Sequence, residues 1–123
     1  MGPVVLDTTV LIDVLRGHDP ARRWLVGLDE VPTCSEISRI EVIRGLRSAE
    51  RSAAETLFAG LDWAELTQPI ARLAGELGRQ YRASHGLAVA DLVIAATTRH
   101  VGAVLATHNL RHYPMFTGLT APY

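Results

Sequence analysis

The segment from Gly86 to Asn109, GLAVADLVIAATTRHVGAVLATHN, decides how this chain is read. Residues 87–102 are long enough for a helix and close on Gly102, the residue type that most readily ends one. AVLATHN, residues 103–109, follows as a short run that reads as a buried strand. A helix leading at once into a wholly apolar strand is the unit of a parallel sheet covered on both faces. One residue in the segment is out of place. Asp91 stands among Leu87, Ala88, Val89, Ala90, Leu92, Val93, Ile94, Ala95 and Ala96. Its neighbours on a helical face, Ala88, Ile94, Ala95 and Thr98, carry no charge. An unpaired buried carboxylate costs several kcal/mol, so a metal ion, an arginine or a catalytic duty is expected to offset it.

Working outward, the same grammar recurs. PVVL (3–6) reads as a buried strand, DTT follows as a polar turn, and TVLIDVLRG reads as a helix ending at Gly17. DPARRWLVGL starts a second helix, with Asp19 as cap and Pro20 at its first position. VPTC (31–34) is a weak strand, residues 35–61 form one or two helices, and DWAEL (62–66) reads as a third strand. Residues 69–86 form a helix marked by Ile70, Leu73, Leu77 and Tyr81, with Arg82 and His85 near its end. The alternation gives an α/β class. In such sheets ligands bind beyond the carboxyl ends of the strands, which directs attention to Asp7 and to Thr107–Asn109.

Composition narrows the function classes. With 123 residues and no linker or repeat, one domain over 1–123 is expected. The apolar runs are too short to span a membrane, no basic region precedes the N-terminal apolar residues, and MGPVVL lacks the myristoylation pattern. The single cysteine, Cys34, excludes an internal disulfide and fits a reducing compartment, so a cytoplasmic protein is expected. Net charge is −1, which does not advertise nucleic-acid binding. All 12 basic residues are arginine, so every mechanism that needs a lysine is excluded.

Two further acids keep apolar company. Asp7 directly follows VVL; it suits a metal site and suits equally an N-cap for the next helix. Glu41 lies in SEISRIEVIRGL. If that helix begins at Ser35, Ile37, Ile40 and Ile43 mark its apolar face and Glu41 sits at the edge; if it begins later, Ser38 and Glu41 match a capping box. Asp13, in LIDVL, is expected to face solvent or to pair with an arginine. Asp7, Glu41 and Asp91 come from three separated segments. An oxygen-rich set of this kind suits Mg²⁺ or Mn²⁺, whereas zinc prefers histidine and cysteine, and no close zinc pattern is present. Such ions polarise phosphoryl oxygens.

Four stretches taken in order resemble a PIN-domain ribonuclease, in particular the toxin of VapBC-type toxin–antitoxin systems. They are VVLDTTVLIDVLRG, SEISRIEVIRGL, the segment from Gly86 to Asn109, and NLRHYP. The resemblance covers nearly the whole chain. It implies a three-layer α/β/α fold with a mainly parallel sheet of about five strands. It implies a Mg²⁺- or Mn²⁺-dependent endoribonuclease, leaving a 5′-phosphate and a 3′-hydroxyl, with Asp7, Glu41 and Asp91 as the central acids. Asn109 occupies the position of the family's frequent fourth acid, and Thr107 matches a hydroxyl position beside it. An RNA substrate, a cognate VapB-type antitoxin and a homodimer are implied as well. Arg16, Arg44 and Arg111 lie near candidate site segments as possible backbone holders, although ordinary solvated arginine is the plainer reading. Leu46, Leu57 and Phe58 could line a partner groove or an ordinary core.

Other readings meet specific obstacles. A receiver domain needs a lysine, a haloacid-dehalogenase-type phosphatase needs an acid at Thr9, and a dinucleotide-binding fold needs Gly-x-Gly-x-x-Gly. A PIN-like RNA- or protein-binding module without activity is the remaining alternative, and Asn109 is the feature that favours it.

Overall fold

A computed structural model describes residues 2–123, apart from the side chains of residues 83–85. The expectations placed on Met1 and on the His85 side chain therefore lie outside the described residues. The elements run β1 (Val4–Leu6), α1 (Thr8–Leu15), α2 (Asp19–Val26), β2 (Thr33–Ser35), α3 (Glu36–Arg44), α4 (Arg51–Ala59), β3 (Asp62–Ala64), α5 (Gln68–His85), α6 (Val89–His100) and β4 (Val104–Ala106). Short 3₁₀ turns lie at Ser48–Glu50 and Leu110–His112.

Four parallel strands form one sheet in the order β3-β2-β1-β4. The sheet has four strands rather than about five, and each is a strand that the sequence marks. The registers Val4↔Val104, Val5↔Leu105 and Leu6↔Ala106 lock β1 to β4. Both faces are covered, and alternation along β1 shows how. Val5 points into a cluster with Ile70, Leu77, Ile94 and Leu105, under α5 and α6. Val4 and Leu6 point the other way, into a cluster with Val10, Leu11, Cys34 and Phe58, under α1 and α4. The result is three layers.

Two expected faces are corrected. On α3, Ile40 and Ile43 are exposed, and the residues turned inward are Ser38 and Val42. The isoleucine stripe is overruled because Ser38 finds a hydroxyl partner on α1. Ser35, not Ser38, caps this helix, accepting from the Ile37 N–H at 3.2 Å. At α6, the apolar residues before Asp91 are not a buried helical turn. Ala88 is the N-cap and Val89 is 73% exposed. Asp91 is thus in the first turn, where the helix dipole favours negative charge.

Candidate active site

Because the strands are parallel, the residues that leave them all emerge at one edge of the sheet. Asp7 leaves β1 and Thr107 leaves the adjacent β4; the Asp7 N–H donates to the Ala106 carbonyl at 2.9 Å. Asp7 is buried and its carboxylate is held by four donors. Oδ1 accepts from the Thr8 N–H at 2.8 Å and from the Tyr113 hydroxyl at 3.0 Å. Oδ2 accepts from the Thr107 hydroxyl at 2.6 Å and the Thr9 hydroxyl at 3.3 Å. The cap reading of Asp7 is right: the residue is the N-cap of α1, and its carboxylate also faces the β4 end, where it accepts from Thr107.

Glu41 is carried by α3. Its Oε1 accepts from the Thr8 hydroxyl at 2.6 Å. Thr8 also lies 2.9 Å from the Ser38 hydroxyl. With its one proton committed to Glu41, Thr8 accepts from Ser38. Thr8 therefore connects the two acids, its N–H donating to Asp7 and its hydroxyl to Glu41.

Asp91 comes from the other helical layer. Its Oδ1 is 3.4 Å from the Tyr113 hydroxyl and its Oδ2 3.3 Å from His112 Nδ1. Burial raises its pKa above the usual carboxylate range; His112 pulls it down, and the charges of Asp7 and Glu41 push it up. Asp91, on α6, thus feels the charges of the acids at the end of β1 and on α3. Burial, reinforced by Asp7 and Asp91, raises the Tyr113 hydroxyl's pKa as well, so that it stays a proton donor.

Asn109 starts the 3₁₀ turn after β4, and its N–H donates to the Thr107 hydroxyl at 2.9 Å. The turn then delivers His112 and Tyr113 to Asp91. The sequence signal for these two lies in NLRHYP, but nothing in the spacing assigns either a role, since their partners are at positions 7 and 91. The arginines divide. Arg16 is committed to Glu50, with Nε to Oε2 at 3.1 Å, while Arg44 and Arg111 are exposed. Asp13 accepts from the Tyr123 hydroxyl rather than from an arginine. Of the proposed groove residues, Leu57 lines a cavity of about 660 Å³ with Val14, Leu15 and Leu25, whereas Phe58 is core.

The donor chemistry fits a hard divalent cation: three carboxylates, the hydroxyls of Thr8 and Thr107 and the amide of Asn109, with negative charge crowded at Asp91. In this arrangement Thr8 occupies Glu41 and Tyr113 spans Asp7 and Asp91. Among the described residues no three His, Cys, Asp or Glu side chains are already gathered as an ion-holding group.

Residues 4–114 match the model of the PIN domain. Ribonuclease VapC19 of Mycobacterium tuberculosis is 42% identical to this chain, covering 97% of it and 98% of the relative. Ribonuclease VapC10 of the same organism is 41% identical, covering 98% and 92%. A toxin–antitoxin complex from Klebsiella pneumoniae superposes with a TM-score of 0.84 at 24% identity, covering 98% of both chains.

Proposed function

This chain belongs to the PIN-domain family, and on that premise we propose that it is a metal-dependent endoribonuclease, the toxin of a type II toxin–antitoxin pair. What supports the reading is that Tyr113 lies between Asp7 and Asp91, that Thr8 beside Asp7 donates to Glu41, and that Asp91 feels the charges of both other acids. In this reading residues 1–123 are one PIN-like domain and the three acids hold Mg²⁺ or Mn²⁺. The bound ion would supply Lewis-acid polarisation of the scissile phosphate and neutralise charge on it.

The chain's own residues do the rest. Asp7, pinned by four donors, is the fixed point of the site. Thr8 aligns Glu41 and Thr107 aligns Asp7, both through short contacts of 2.6 Å to a carboxylate. A carboxylate not engaged with the ion can accept a hydrogen bond from the attacking water and point its lone pair at phosphorus. In this reading Asn109, tied to Thr107 through its N–H, would supply a neutral amide in place of a fourth acid. The exposed Arg44 and Arg111 are the candidates for contacts to the RNA backbone.

The proposed partners are an RNA substrate, a VapB-type antitoxin and a second copy of the chain. Ribonuclease relatives and likeness to a toxin–antitoxin complex support this. Among the described residues no helix is long and apolar enough to cross a membrane. A cytoplasmic site of action is part of the proposal, since the proposed RNA substrate is found there.

Purified protein is expected to cleave single-stranded or loop RNA with Mn²⁺ or Mg²⁺ and to stop in EDTA. Asp7→Asn and Asp91→Asn should each abolish cleavage. Undiminished cleavage in EDTA, or by both variants, refutes the metal-nuclease reading. RNA binding without cleavage under every metal condition would favour the inactive binding module to which Asn109 points. Mapping 5′-phosphate ends of cellular RNA after induced expression would identify the substrate.

A further inference from the structure

Tyr113 is 1% exposed, yet its hydroxyl is directed out of the core and between two carboxylates. A phenylalanine would fill the same space, so packing gives no reason for the oxygen. The two acids it touches are supported unequally. Asp7 has the Thr8 N–H and the hydroxyls of Thr9 and Thr107 besides Tyr113. For Asp91 the described hydrogen bonds and ion pairs give two partners, Tyr113 at 3.4 Å and the half-exposed His112 at 3.3 Å. Asp91 also rides in the first turn of a helix that opens on the exposed cap Ala88 and the exposed Val89. Tyr113 is therefore a tie between a well-anchored acid on β1 and a weakly held acid on α6. A hydroxyl owns one proton and serves one carboxylate at a time. Set between two like charges, it lowers their repulsion whichever it serves.

We propose that Tyr113 is a positioning residue of the acidic site: its hydroxyl fixes Asp91 against Asp7 and thereby sets the affinity of the pair for a divalent cation. The inference rests on the metal-nuclease reading above. Ligating carboxylates commonly owe their orientation to such outer hydrogen bonds, whose loss weakens metal binding. The tyrosine comes from the turn that follows β4, so the same turn that carries Asn109 also delivers this tie.

The test is Mn²⁺ titration of the purified protein, followed by calorimetry, together with thermal melts of the ion-free forms. Tyr113→Phe keeps the ring and removes only the oxygen. It is expected to weaken Mn²⁺ binding by roughly 10-fold. In the Asp91→Asn background, where one charge of the pair is gone, the same change should move the affinity by no more than about 2-fold, the mark of coupled residues. Three outcomes overturn the inference: Tyr113→Phe binding as tightly as the native chain, equal losses in both backgrounds, or loss of the folded transition in Tyr113→Phe, which would make the hydroxyl a folding requirement. A native chain that binds no Mn²⁺ would bring down the metal reading and this inference together. Native binding with an unchanged Tyr113→Phe brings down the inference alone.

Discussion

Asp91 shows how one residue carries a cost to the fold. Its carboxyl holds its proton to higher pH than an ordinary carboxylate, first because it is desolvated. Between the ordinary carboxylate range and the raised value, the folded chain binds more protons than the unfolded chain. Stability therefore falls as pH rises through that window and stays lower above it. Asp91→Asn should consequently melt a few degrees higher than the native chain at neutral pH when both are freed of metal by a chelator. The advantage should vanish below the ordinary carboxylate range, where Asp91 is neutral in both states. Equal melting temperatures at neutral pH would refute this. The acid's singularity was legible, because a lone charge in so apolar a run needs a reason. Its position was not: the run suggests a helix from Leu87, while the helix starts only at Val89, after the cap Ala88, and leaves Asp91 in its first turn. Tyr113 was not legible at all, since its hydroxyl acts on residues 106 and 22 positions away.

At the scale of elements, the joint between α6 and β4 sets the site's second edge. Gly102 turns the chain there with φ +67, in the left-handed region that L side chains adopt at a cost. The strand must start at once, because Val104 pairs with Val4. Gly102→Ala should cost roughly 1–2 kcal/mol, read as a lower denaturation midpoint with an unchanged denaturant slope. An unchanged midpoint would show that the turn tolerates a side chain. The glycines closing α1 and α6, and the short strands VVL and VLA, could be read directly from local chemistry. The orientation of α3 could not. Its isoleucines at 37, 40 and 43 are spaced as a core stripe, yet Ile40 is 59% exposed. The helix instead presents Ser38, Glu41 and Val42 inward, because Thr8 offers hydroxyl partners to Ser38 and Glu41 across 30 and 33 residues. Polar contacts of that separation leave no periodic trace in a sequence.

At the scale of the whole molecule, the C-terminal segment folds back over the first helical pair. Tyr123 donates its hydroxyl to Asp13 and packs its ring against His108 at 4.3 Å, His18 at 5.7 Å and Trp24 at 6.1 Å. His108 lies between Thr107 and Asn109, so this clasp reaches the rim of the candidate site. Tyr123→Phe removes one hydrogen bond to a carboxylate and should cost about 1–2 kcal/mol, seen as a drop in melting temperature of several degrees. No drop would mean that the ring contacts alone hold the tail. The sequence by itself determined the class of fold, the parallel sheet and the segments of its four strands, because apolar runs and glycine stops are local signals, and a misplaced charge singled out the acids for attention. Only the tertiary structure decided how those acids are held. Pairing β1 with β4 brings Thr107 and Tyr113 to Asp7 across 100 and 106 residues, and hydrogen bonds between side chains so far apart exist only once the sheet has formed.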